Sequence, residues 1–238
     1  MPSARTRDLP PALPPAARPV GQVVAEAIGL YQRHFWRALA LGVPLAVVDQ
    51  LIVDRPAGTQ IAILVAAAPL FSLTYAAACA IDRPEPPPKR VWLTAVAVGT
   101  LTFLPVAAVF TWFKLAAVLW LGVAGHAVPA VMAERLRPLA ALRRSWELAR
   151  ADYVHAAGSF ATLVLLFGLT QVALGFVLRG QADATLRASL FLSDLTLSPL
   201  LYLGGVIVYV DLVARVGLDR EERRQLREAA LGARPPAK

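Results

Sequence analysis

The sequence predicts an all-α membrane protein: six transmembrane helices plus two cytoplasmic interfacial amphipathic helices. Three observations predict it. Of 238 residues, 57% are hydrophobic and 17% charged, against about 45–50% and about 25% in a soluble domain. A chain this apolar lacks the polar surface to cover a water-exposed fold. Second, the charges are missing from long runs: residues 56–81, 91–113, 115–133 and 156–178 hold no Asp, Glu, Lys or Arg, and 188–210 hold only Asp194. Third, of the 24 Lys and Arg, all but Arg55, Lys114, Arg179 and Arg187 fall in stretches that six crossings would place on one side.

The elements follow in order. Residues 1–19 contain Pro2, Pro10, Pro11, Pro14, Pro15 and Pro19 and are expected to form an extended, disordered tail. Residues 20–35 carry Val20, Val24, Ala27, Tyr31 and Phe35 on one helical face, as an interfacial helix would. Span one, 36–53, is entered through Phe35, Trp36 and Arg37 and broken by Asp49. Span two, 58–81, leads into a stiff spacer with Pro84, Pro86, Pro87 and Pro88. Residues 91–134 are about twice a bilayer long at 1.5 Å per residue. They divide into spans 91–111 and 114–133, with a turn near Thr111–Lys114 and a kink at Pro105. The second interfacial helix, 138–153, starts on Pro138, where a missing N–H costs nothing. Leu139, Leu142, Trp146, Ala149 and Tyr153 form its apolar face, with Arg143, Arg144, Glu147 and Arg150 opposite. Spans 155–178 and 190–213 complete one membrane domain over 20–217, followed by a charged tail, 218–238. Barrel strands are excluded, because the runs are too long and do not alternate; Ala and Leu favour helix.

Lys and Arg collect on the cytoplasmic side, so both termini are expected there, in the inner (plasma) membrane. About 35 residues precede the first span, unlike the short charged region of a cleaved signal. The net charge of +8 then reports topology, and no nucleic acid partner is expected. The expected partners are the lipid bilayer, anionic lipid head groups at the cytoplasmic face, and a protein partner.

No reaction is legible. His34, His126 and His155 are far apart, and Cys79 stands alone in span two as a packed thiol. There is no G-x-S-x-G, H-E-x-x-H or P-loop. The chain is therefore expected to be no enzyme and to use no metal or cofactor, and to act as a module that scaffolds or regulates a partner or binds lipid. A transporter or lipid-handling protein is the alternative, motivated by ionisable groups within spans. Asp49 and Asp194 are expected to be solvated near the outer ends of spans one and six. His126 lies inside span four. Glu134 and Asp211, near inner ends, are expected to pair with Arg143, Arg144 and Arg215. Gly204-Gly205 reads as a close-packing point in span six.

Three stretches add a resemblance. They are Leu30-Tyr31-Gln32-Arg33-His34-Phe35; Val128–Glu134 followed by Arg137–Arg150; and Tyr209-Val210-Asp211-Leu212 followed by Arg215 and Gly217-Leu218-Asp219. Over about residues 20–220 the chain resembles the bacterial membrane proteins described as the glycerophosphoryl diester phosphodiesterase membrane domain family. The resemblance implies a six-helix membrane module and points to Pro129, Glu134, Pro138, Arg143, Arg144, Ser145, Trp146, Tyr209 and Asp211. Val213 and Val216 stand where the family's exit motif carries charges. The family name implies no activity for this chain. The phosphodiesterase itself is a TIM barrel, which needs about 250 residues, and there is no room for one outside the spans.

Overall fold

The computed structural model describes residues 13–110 and 112–232. Within them, six helical segments are long and apolar enough to cross a membrane: Phe35–Ile52, Ala57–Ala80, Lys89–Val109, Lys114–Glu134, Tyr153–Val177 and Asp183–Arg215. This is an all-α membrane protein, and the spans fall close to where the charge-free runs put them.

The helices are α1 (Val20–Arg33), α2 (Phe35–Ala40), α3 (Val43–Ile52), α4 (Ala57–Ala80), α5 (Lys89–Phe110) and α6 (Lys114–Ala124). They continue as α7 (Ala127–Glu134), α8 (Pro138–Ala151), α9 (Tyr153–Val177), α10 (Asp183–Arg215) and α11 (Arg220–Gly232). The first and fourth spans are thus each built from two helices. The first is interrupted at Leu41-Gly42 and the fourth at Gly125-His126. Interruptions leave backbone groups that must find partners in a bilayer. At the second one, the Ser145 hydroxyl donates to the Val123 carbonyl at 2.6 Å, and His126 Nε2 lies 3.2 Å from the Gly122 carbonyl.

The bundle is organised around α10, which touches α1, α2, α3, α4, α7, α8 and α9. Its apolar window is 61% buried and that of α6–α7 67%, against 11% for α9, so the fourth and sixth spans are central and α9 is peripheral. Tyr75 abuts Gly205 and Leu163 abuts Gly204, so the glycine pair is a point of close approach. α10 begins seven residues before the expected 190. Its first turns, Asp183-Ala184-Thr185-Leu186-Arg187, are polar but helix-compatible, with Asp183 placed favourably at the positive end of the helix dipole. Arg187 then reaches Asp54 at 2.7 Å.

Four expectations change. Within the Pro-rich start, Pro15–Ala17 form a 3₁₀ turn, with Leu13, Ala16 and Ala17 buried and the turn seated against α10. Residues 1–12 lie outside the described residues, as does Thr111 of the expected α5–α6 turn. Of the expected stripe of Val20, Val24, Ala27, Tyr31 and Phe35, α1 buries Ala27 alone, with Val23 and Leu30 beside it, against α10 and α9, so the buried face is rotated. In α8 the faces separate: Ala141, Ser145, Leu148 and Ala149 pack inward, whereas Leu139 and Trp146 are exposed. Small residues let α8 approach α6 and α7 closely, and Leu139 and Trp146 point away from the protein. Part of the expected charged tail is α11, opened by a reciprocal capping box. Asp219 N donates to Glu222 and Glu222 N to Asp219, both at 2.8 Å.

Candidate functional site

The residues singled out from sequence separate into two clusters at the end of the bundle that carries both terminal segments. The first is internal to the motif. Glu134, at the end of α7, accepts from Arg144 Nε of α8 at 3.0 Å and from the Tyr209 hydroxyl of α10 at 2.7 Å, both on Oε1. Arg135 ends α7 in the left-handed conformation (φ 55°), which turns the chain into Pro138 at the start of α8. Pro129 is buried within α7. Arg83 donates to the Met132 carbonyl at 2.7 Å and ties the α4–α5 connection to the same corner. The Glu134–Arg144 pairing is as expected, with Tyr209 added. Arg143 is not part of it: its side chain is 82% exposed and bonds Glu147 one turn on. Pro138 and Trp146 are exposed as well.

The second cluster overturns an expected partner. Asp211 does not pair with Arg215. Its carboxylate is fully buried and receives Arg18 Nη1 at 2.7 Å and His155 Nε2 at 3.3 Å. A carboxylate only accepts, so the Nε2 hydrogen points at Asp211. Arg215 instead donates to Asp152 at 2.7 Å, and its other terminal nitrogen caps the Arg18 carbonyl at 2.6 Å. Arg223 of α11 joins Asp152 at 2.5 Å. Asp152 is the N-cap of α9, accepting from the His155 N–H at 3.1 Å. Two carboxylates thus hold Arg18, Arg215 and Arg223, fastening both terminal segments to α9 and α10.

Burial by itself would raise the Asp152 pKa. The His155 N–H and the Arg215 and Arg223 guanidiniums outweigh it and hold that carboxyl below its ordinary value. A folded pKa depressed in this way contributes stability that is full above the unfolded value of about 3.9 and is lost as pH falls through the folded value. Acidification through that window is therefore expected to lower the unfolding temperature, and less steeply in Asp152→Asn. Equal acid sensitivity of the two proteins in thermal scans would refute the assignment.

Beside this cluster opens a cavity of about 770 Å³ between the 3₁₀ turn, α8, α9, α10 and α11, lined among others by Arg18, Arg150, Arg215, Arg223, Arg224 and Arg227. Arginine forks match phosphate and carboxylate oxygens. The buried Nε atoms of Arg18 and Arg215 have no hydrogen-bond partner among the described residues. The site suits an anion.

Sequence reasoning missed Arg18, Asp152 and Arg223. An Asp just ahead of a helix start is an N-cap signal and could have drawn attention to Asp152. Nothing local marks Arg18, whose partner lies 193 positions away. The expected solvation of Asp194 is also corrected: it is 1% exposed and faces Asp49 across the bundle, at the end away from the arginines. Cys79 is buried, as a packed thiol would be.

No family model matches the chain, and neither the curated proteins nor the solved structures give a match.

Proposed function

We propose that the chain is a non-catalytic membrane module that binds an anionic lipid head group in its arginine-lined cavity. In this reading both termini lie in the cytoplasm and the membrane is the bacterial inner (plasma) membrane. The motif of Glu134, Arg144 and Tyr209 then corresponds to that of the glycerophosphoryl diester phosphodiesterase membrane domain family. The observation that carries the reading is the cavity, which six arginines line and where two of them, Arg215 and Arg223, hold Asp152. The exposed Leu139 and Trp146 of the neighbouring α8 support it, since such side chains enter the apolar edge of a leaflet. Basic groups at the same level would meet phosphates, each contributing about 1 kcal/mol.

Arg150 and Arg227 line the cavity but take no part in the ion pairs around Asp152 and Asp211. Replacing both with Gln is therefore expected to preserve the fold and weaken binding of cardiolipin or phosphatidylglycerol by about 30-fold. Native mass spectrometry from mild detergent reads this directly. Phosphatidylcholine binding as strongly as the anionic lipids, or a loss below about threefold in the double variant, would refute the reading.

A further inference from the structure

At the opposite end of the bundle, α3, α4, α5, α6, α9 and α10 enclose a second cavity of about 240 Å³. Its walls are mostly apolar and aromatic. Phe71 and Tyr75 come from α4, Phe103 from α5 and Tyr202 from α10. Their rings meet edge-on or tilted, with centroids 6.1–6.4 Å apart. Into this lining come two carboxyl groups, Asp49 of α3 and Asp194 of α10. Two carboxylates cannot both keep their charge in one apolar cavity, so the pair holds one proton. The Gln171 amide of α9 donates to Asp194 Oδ1. No N–H donor among the described residues reaches Asp194 Oδ2, and the hydroxyl of Tyr75, 4% exposed, has no hydrogen-bond partner among them either.

These groups select a ligand class. An anion is repelled by the carboxyls. A bare divalent cation wants six or more oxygens, and the lining offers few. A neutral hydrocarbon makes no use of two acids. Aromatic faces carry negative charge density and attract cations, most strongly where water is excluded. Charge bookkeeping agrees. Lys114 acts on Asp49 through space and balances one carboxylate; removal of the shared proton leaves one net negative charge. Tyr75 and Tyr202 are the other titratable groups facing the pair, and the Arg187–Asp54 ion pair closes the same end of the bundle.

We propose that this cavity is a binding site for a small lipophilic organic cation, taken up between the aromatic rings and the Asp49–Asp194 pair in exchange for the proton that the pair holds. The cation enters, one proton leaves to water from the partly exposed side of Asp49, and the net charge of the site is unchanged.

The test uses the full chain in uncharged detergent, with benzyltrimethylammonium as the probe and neopentylbenzene as its uncharged isostere. Calorimetry in buffers of different ionisation enthalpy counts the protons released. The expected result is tighter binding of the cation than of the isostere, release of about one proton per cation, and affinity that rises with pH. Asp194→Asn is expected to weaken cation binding at least about tenfold and abolish proton release, leaving the isostere unaffected. Equal binding of cation and isostere would overturn the proposal and identify a fissure for acyl chains instead; cation binding without proton release would overturn the exchange. Both comparisons are made on the unmodified chain, so they decide the matter even where Asp194→Asn fails to fold. The Arg150→Gln/Arg227→Gln variant is expected to bind the cation normally, so this site and the lipid site fail separately.

Discussion

Asp211→Ala is expected to destabilise the protein by about 3–5 kcal/mol, the range for breaking a buried ion pair by removing one partner. Asp211 is fully buried, and the substitution strands Arg18, whose side chain is only 12% exposed, together with the His155 Nε2 hydrogen. The damage extends beyond the pair, because the Arg18 carbonyl is held by Arg215 and Arg215 by Asp152. The amino-terminal segment is expected to lift from α10 before the bundle unfolds. Cys79 is the single cysteine of the chain and is buried, so a thiol-reactive fluorophore reports global unfolding without added labels. Arg18→Ala combined with Asp211→Ala is expected to cost less than the two singles added together, because the double variant leaves no buried charge alone. A loss below about 1 kcal/mol for Asp211→Ala, the size of an exposed pair, would show that water compensates the site.

What could be read from the sequence follows from what the bilayer demands. A span must be about 20 residues long and nearly free of charge, a property of the chain alone, so all six spans were legible within a few residues apart from the start of α10. The Glu134–Arg144 pair was legible for a similar reason: both residues lie in one short motif, and the tight connection between α7 and α8 brings them together. The Asp211 partner was not. Arg18 sits in a proline-rich stretch that reads as tail, and only the packing of Ala16 and Ala17 on α10 delivers its guanidinium to Asp211. Asp194 shows the same limit from another side. Its position gives its distance from the end of the span, whereas its burial depends on which helix stands opposite. The interruptions at Gly42 and Gly125 were unreadable because a glycine's role is decided by the neighbour it admits. Gly125 has the Phe160 ring against it, and Gly42 has backbone.

Gly42→Ala is expected to separate α3 from α10, and the cause is space alone. Gly42 has φ −78° and ψ −24°, a conformation any residue adopts. A Cβ there would run into the carbonyl oxygen, carbonyl carbon and Cα of Leu195. Those are backbone atoms of a helix interior, and no rotamer change can remove them. Overpacking of this kind costs about 1–3 kcal/mol, and Gly42→Leu is expected to cost more and to abolish accumulation of folded protein. Gly168→Ala in α9 is the control, with nothing within 4 Å of its added carbon; it is expected to be neutral or stabilising by up to about 1 kcal/mol. Thermal unfolding read through Cys79 compares the two, and a Gly42→Ala protein as stable as Gly168→Ala would refute the close approach. The displacement has a direction. Gly42, Ala46 and Asp49 stand at i, i+4 and i+7, one face of a helix, and Ala46 is fully buried on that face. Pushing α3 away at Gly42 therefore draws Asp49 from Asp194 two turns further along. The same variant is expected to bind benzyltrimethylammonium more weakly while its affinity for anionic lipid, set at the far end of α10, stays unchanged.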